Sequence, residues 1–248
     1  MSPDQAPLDD SALLVVAAWA LAEGLGRGQR WLPAAACALL LGLLGWRGFE
    51  VGFLPLTNKY ESFLTFTTVL LAVATLRYSR LGRPGRILLA LTAGGFLGAA
   101  LAFDSAIHYP SPLLYTAWYA AHVPLSFAGY AFWVAAAADG LDGLLGVTEP
   151  ADLARWQDAD VRLGFVFFSL SMVFGAVWGV VSWGAYFLWD AKIVWSLAAW
   201  LYFATFAHLR LWPVRAARPR AVLGGLGLAI VLITYVGTSF MKGSIHSF

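Results

Sequence analysis

The feature that most restricts this chain is a succession of apolar runs, each some 20 residues long, separated by links too short to fold alone. In a bilayer the backbone must satisfy its own hydrogen bonds, so a run of roughly 17–25 apolar residues crosses as a helix. The runs place about eight such helices near 11–26, 31–53, 62–78, 86–104, 114–137, 162–184, 190–210 and 221–241. Hydrophobic residues make up 60% of the chain and charged ones 12%, which excludes an ordinary soluble domain. The expected fold is therefore an all-α polytopic integral membrane protein, with residues 1–248 forming a single transmembrane helical domain. The longest polar link, Asp139 to Val161, leaves no room for a soluble domain, and no internal repeat is visible.

The arginines set an orientation. Arg27, Arg30, Arg77, Arg80, Arg83, Arg86, Arg155, Arg162, Arg210, Arg215, Arg218 and Arg220 all fall on one side of an eight-helix arrangement. They are twelve of the sixteen basic residues, and that side is cytoplasmic by the positive-inside rule. Both termini are then outside, and so is the turn near 184–190. A net charge of only +2 gives no basic surface for nucleic acid, so the expected surroundings are membrane lipid. The lone Cys37 lies in an apolar run and supplies no redox pair. The opening MSPDQAPLDD has no basic region of the kind a cleavable leader carries.

The outer side collects the unusual residues. WGVVSWGAYFLWDAKIVWSLAAW holds Trp178, Trp183, Trp189, Trp195 and Trp200 around Asp190 and Lys192. Tryptophans also gather as a belt at membrane boundaries, but a belt needs only one or two per helix end. A wall of rings beside a few charges suits a broad, flat, apolar ligand with a polar edge. In FLPLTNKYESF, Asn58 suits a helix N-cap and Glu61 the positive end of the helix dipole, which leaves Tyr60 unexplained. Arg47 and Glu50, one turn apart, are placed to pair.

Of the four histidines, His108 is spaced to pair with Asp104. His208 follows Asp190 by 18 residues, about 27 Å along a helix, which puts it in the inner leaflet. His122, early in the fifth helix, and His246, after the eighth, come to the same outer face as the tryptophans. Two imidazoles flanking a flat ligand suit bis-axial ligation of haem iron, with Lys192, Lys59 or Arg47 near the propionates. A quinone remains an alternative, although it leaves the second histidine without a task.

These residues also carry a resemblance. WGVVSWGAYFLWDAK resembles the tryptophan-rich WWD signature of cytochrome c assembly proteins, within a haem-binding segment about 174–210. PLTNKYES, HVPLSFAGY and TYVGTSFMKGSIHSF are similar to further motifs of the CcsA/ResC branch, system II. The resemblance covers roughly 50–248 and implies the haem-binding, haem-delivering subunit of a cytochrome c synthase, a haem lyase. In that family haem b is the substrate, joined at the outer membrane face to a CxxCH apocytochrome c. Carried over by position, His122 and His246 match the outer iron ligands, and His208 the transmembrane one. Trp178, Trp183, Trp189, Asp190, Lys192 and Trp195 then line the porphyrin. No catalytic residue is implied beyond haem positioning. The implied partner is a CcsB/ResB-type membrane protein, and the implied location the bacterial inner membrane with the WWD site facing the periplasm. The family's WDPKE reads WDAKI here, with Ala191 and Ile193 replacing a proline and an acid. Two alternatives stay open: a CcmC-type haem chaperone or exporter without attachment activity, and a quinone-binding or structural subunit of a respiratory complex.

Overall fold

The computed structural model describes residues 6–24, 26–208 and 217–241. Among these lie eight α-helices: α1 (Ala6–Gly24), α2 (Trp31–Val51), α3 (Lys59–Arg77), α4 (Arg83–Ala100), α5 (Ala117–Leu144), α6 (Pro150–Trp183), α7 (Ala191–His208) and α8 (Ala217–Tyr235). A short 3-10 turn, Gly237–Phe240, follows. Four stretches, in α2, α5, α6 and α8, are long and apolar enough to cross a membrane.

The helix boundaries correct one sequence expectation. The expected polar link at 139–161 is mostly helix, because α5 runs on to Leu144 and α6 already begins at Pro150. Hydropathy marks where a chain can be in lipid, and polar residues drop out of that signal even when they are helical. Pro150 suits a first helical turn, where its missing N–H costs nothing, and Glu149 precedes it in extended backbone. The 34 residues of α6 extend about 51 Å, well beyond a 30 Å hydrocarbon layer. The first turns of α6 carry Asp152, Arg155, Asp158 and Arg162 accordingly.

The chain divides into two compact units, Met1–Ala120 and Ala121–Phe248. In the first, Leu40, Leu64, Phe66, Leu70, Leu89 and Leu97 are fully buried, and Phe66 meets Phe96 edge-on at 4.6 Å. Two polar pins cross this core. Glu23, fully buried, accepts from Trp19 Nε1 at 3.2 Å, Tyr78 Oη at 2.6 Å and Arg86 Nε at 2.9 Å. Arg47, also fully buried, pairs with Glu61 at 2.7 Å. It does not pair with Glu50 as one-turn spacing suggests, because a partner on a neighbouring helix buries both charges together. The Arg47 guanidinium also donates to the carbonyls of Ser105 and Ala106 at 2.9 and 3.2 Å.

That pin accounts for PLTNKYES. Asn58 caps α3 by accepting from the Glu61 N–H at 2.9 Å. Glu61 takes the Thr57 N–H and hydroxyl on its other oxygen, at 2.8 and 2.7 Å. Tyr60, buried, lies beneath the Arg47 guanidinium with 5.0 Å between carbon and ring centroid. The ring that capping leaves unexplained is thus a platform for a buried cation.

The second unit, α5 to α8, has an aromatic core. Trp133 stacks on Phe203 at 3.7 Å, and Phe168 and Tyr130 complete the cluster. Glycine lets α5 and α6 touch: a Cβ on Gly129 meets the Phe168 Cβ at 2.9 Å and the Gly164 carbonyl at 3.1 Å. Near the far end of the same helices, Gln157 Nε2 donates to the carbonyls of Ala136 and Arg220, at 2.9 and 3.2 Å. Arg220 itself pairs with Asp158 at 2.8 Å.

Candidate functional site

The site builds outward from His122. It sits in the second turn of α5, two residues before Pro124, and its half-buried ring packs against α6. Its Nδ1 lies 2.8 Å from the Ser171 carbonyl oxygen and 3.0 Å from the Ser171 hydroxyl. A carbonyl only accepts, so Nδ1 carries the proton, and in the neutral ring Nε2 is the acceptor nitrogen. The hydroxyls are compatible with that tautomer: the Ser171 and Ser126 oxygens lie 2.9 and 3.1 Å from the His122 carbonyl, with one hydroxyl proton left for the contact between them. The two serine oxygens are 2.5 Å apart. Gly175, one turn beyond Ser171, makes the seat possible. A Cβ there would lie 2.6 Å from both Nδ1 and Cε1 of the imidazole.

The tryptophan wall begins on the same ring. His122 and Trp178 are nearly parallel, 6.1 Å between centroids and 22° between planes. Trp178 in turn meets Trp183 edge-on at 4.7 Å. Close packing continues at the α6 terminus, where Gly184 adopts φ +73° and a Cβ on Gly179 would lie 2.9 Å from the Ala185 carbonyl. Three of the expected residues, His122, Trp178 and Trp183, are therefore one contiguous cluster.

Asp190 and Lys192 have structural tasks of their own. Asp190 is buried and caps α7, its carboxylate accepting from the Lys192 N–H at 2.9 Å while its carbonyl starts the helical ladder at Val194. A capping carboxylate at a helix N-terminus is stabilised by the dipole. Ala191 is the first residue of α7, so the helix starts where the WDPKE proline of the resembling family would stand. The Lys192 ammonium lies 5.9 Å from the centre of the Tyr235 ring. Trp195 touches α8 through its backbone, which accepts from Thr234 Oγ1 at 3.3 Å.

Trp189 is the exception. It is 89% exposed and meets Phe187 edge-on at 5.2 Å. With Tyr186 at 72% and Phe187 at 42%, it forms an exposed aromatic loop between α6 and α7. His208 ends α7 at the opposite pole, about 26 Å from Ala191, and is exposed. Its Nδ1 lies 2.6 Å from the Ala204 carbonyl, which again makes Nε2 the acceptor nitrogen. His246 lies outside the described residues. His108 bonds Asp104 at 3.4 Å, as its spacing predicts.

Sequence reading missed Ser126, Ser171 and Gly175. Ser126 was within reach, since it follows His122 by four residues on one helix. Ser171 and Gly175 come from another helix nearly 50 residues on, and no local pattern marks them. Among the described residues, no three His, Cys, Asp or Glu side chains gather as a bare metal ion requires. An iron porphyrin asks less, because its own nitrogens fill four positions and the protein needs to supply only axial ligands.

The chain matches the family described as "Cytochrome C assembly protein" over residues 56–246. A cytochrome c biogenesis protein CcsA from Trieres chinensis is 29% identical, over 85% of this chain and 82% of its own length. The CcsA of Synechococcus sp. (strain JA-3-3Ab) is 24% identical over 83% of this chain and 80% of the relative. That of Prochlorococcus marinus (strain AS9601) reaches 31%, over 41% of this chain and 35% of the relative.

Proposed function

The chain belongs to the cytochrome c assembly protein family, and from that premise we propose that it is the haem-presenting subunit of a cytochrome c synthase. Its role is in cytochrome c biogenesis; its cargo is haem b. In this reading eight helices cross the bacterial cytoplasmic membrane with both termini outside, and the α6–α7 turn faces the periplasm. Haem is received at His208 and passed to the outer face, where His122 and His246 bind the iron from opposite sides. Trp178, Trp183, Trp189 and Trp195 hold the porphyrin faces, while Asp190 fixes the start of α7 and Lys192 serves the propionates.

The observation that carries the reading is the contact of His122 Nδ1 with the Ser171 carbonyl. A metal-binding histidine requires a lone pair on one nitrogen, and it is commonly oriented by a hydrogen bond from the other. His122 meets both conditions beside an indole wall. His208 has the same arrangement. The chain's contribution to thioether formation is positioning: two vinyl groups held against two cysteine thiols turn a bimolecular reaction into a nearly unimolecular one. No side chain of the site needs to act as a nucleophile, since the thiols belong to the apocytochrome.

Reconstitution tests this. The haem-loaded protein, combined with a CcsB/ResB-type partner and a CxxCH apocytochrome c under reducing conditions, should yield haem that stays with the apocytochrome after denaturation. Normal haem loading with no covalent product would instead support a chaperone or exporter. A purified protein that takes up no haem would remove both in favour of a respiratory subunit.

A further inference from the structure

We infer that Ser171 and Ser126 are positioning residues for the His122 imidazole, the Ser171 carbonyl fixing its Nδ1–H form and the two hydroxyls its plane, and that Gly175 is the seat that lets them do so. The inference rests on the proposed haem reading and deepens it by assigning residues that hold the outer ligand in place.

The lock is closed by counting protons. Nδ1–H points at both the carbonyl and the hydroxyl oxygen of Ser171. The Ser171 hydroxyl proton goes to the His122 carbonyl at 2.9 Å, so it is not directed at the ring. Ser126 then supplies its proton to Ser171 Oγ, 2.5 Å away. If the ring took the other tautomer, Nδ1 would turn a lone pair on the Ser171 carbonyl, acceptor against acceptor at 2.8 Å. Burial raises that penalty, since Ser171 is fully buried and Ser126 nearly so. The ring is also held in rotation. Trp178 lies nearly parallel to it, and the α6 backbone at Gly175 closes on the Nδ1–Cε1 edge. Nε2, the ring's other nitrogen, is the one offered as a ligand.

Pro124 adds to this. Without an N–H it cannot bond the Ala120 carbonyl, so the turn of α5 carrying His122 lacks one helical bond. The Ser171 hydroxyl on the His122 carbonyl holds that turn to α6 in its place. The hydroxyls therefore act on iron through the imidazole, by fixing its plane, and that of Ser171 also strengthens its donation as a second acceptor of the Nδ1–H bond.

The test uses the full-length protein in detergent and variants S126A/S171A, S126T and G175A. Alanine has the higher helix propensity, so G175A leaves α6 intact while its methyl displaces the ring. Without haem, nitrogen NMR of labelled histidine should show the wild-type His122 as a single Nδ1–H tautomer. S126A/S171A should keep that tautomer, because the Ser171 carbonyl remains, and lose the fixed plane of the ring. With haem, S126A/S171A should bind about 10–100-fold more weakly, with a raised iron midpoint potential, and S126T should match the wild type. G175A should lose outer-site haem as completely as His122→Ala. A locked tautomer in a protein that takes up no haem overturns the proposed function alone. A haem-binding protein whose affinity and potential are unchanged in S126A/S171A, or whose wild-type His122 is not the Nδ1–H tautomer, overturns the inference alone.

Discussion

Arg47 and Glu61 are both fully buried, and each is the other's counter-charge. Removing one strands the other in a medium that solvates it poorly. Arg47→Met should therefore cost about 3–5 kcal/mol, read as a fall in the thermal unfolding midpoint in detergent. Arg47→Met with Glu61→Leu should recover much of the loss, because no lone charge is then left. Asp104 gives a prediction in pH. The Ala106 N–H and then the His108 ring hold its carboxyl below the usual aspartate range. A lowered folded pKa contributes stability above the unfolded value and loses it as pH falls through the folded one. The 101–116 loop should thus keep its proteolytic protection at neutral pH and lose it only in acid, below the ordinary aspartate range. His108→Ala should leave outer-site haem binding unchanged. At this scale short-range relations were readable from sequence: the Asn58 cap and the Asp104–His108 pair are set by spacings of three and four residues. Arg47–Glu61 was not, because spacing offers Glu50 and only the packing of α2 on α3 selects otherwise.

Caps and crossings decide where the elements begin and how closely they meet. Asp190 starts α7 directly after the exposed aromatic loop, so Asp190→Ala should cost about 0.5–2 kcal/mol and raise hydrogen exchange in the first turn of α7. Asp190→Asn, still a good cap, should restore that protection. Gly129 marks the tightest approach of α5 to α6. Gly129→Ala should destabilise by about 1–3 kcal/mol through overpacking, seen as a lower unfolding midpoint, despite alanine's better helix propensity. The positions of the helices were legible because apolar runs are long and links are short. Their ends were less so: the polar first turns of α6 carry Leu153, Gln157, Asp160 and Val161 as a buried face, an amphipathic pattern that a search for lipid-compatible stretches passes over.

At the scale of the molecule, the second unit has two poles, with His122 and the indoles near the α6–α7 turn and His208 at the other end of α7. Its middle is filled by Trp133, Phe168, Phe203 and Phe206, all buried. The motifs name the chemistry of both poles from sequence, since histidine and tryptophan are chemically specific wherever they occur. The support beneath His122 was hidden, since serine and glycine are common in membrane helices and acquire a role only through what they touch. The central claim is that two imidazoles distant in sequence, His122 and His246, share one iron. Electron paramagnetic resonance of the haem-loaded ferric protein tests it most directly. The wild type and His108→Ala should give a low-spin bis-imidazole signal, and His122→Ala and His246→Ala should each turn high-spin. A low-spin bis-imidazole signal that survives in either of those two variants would contradict the account.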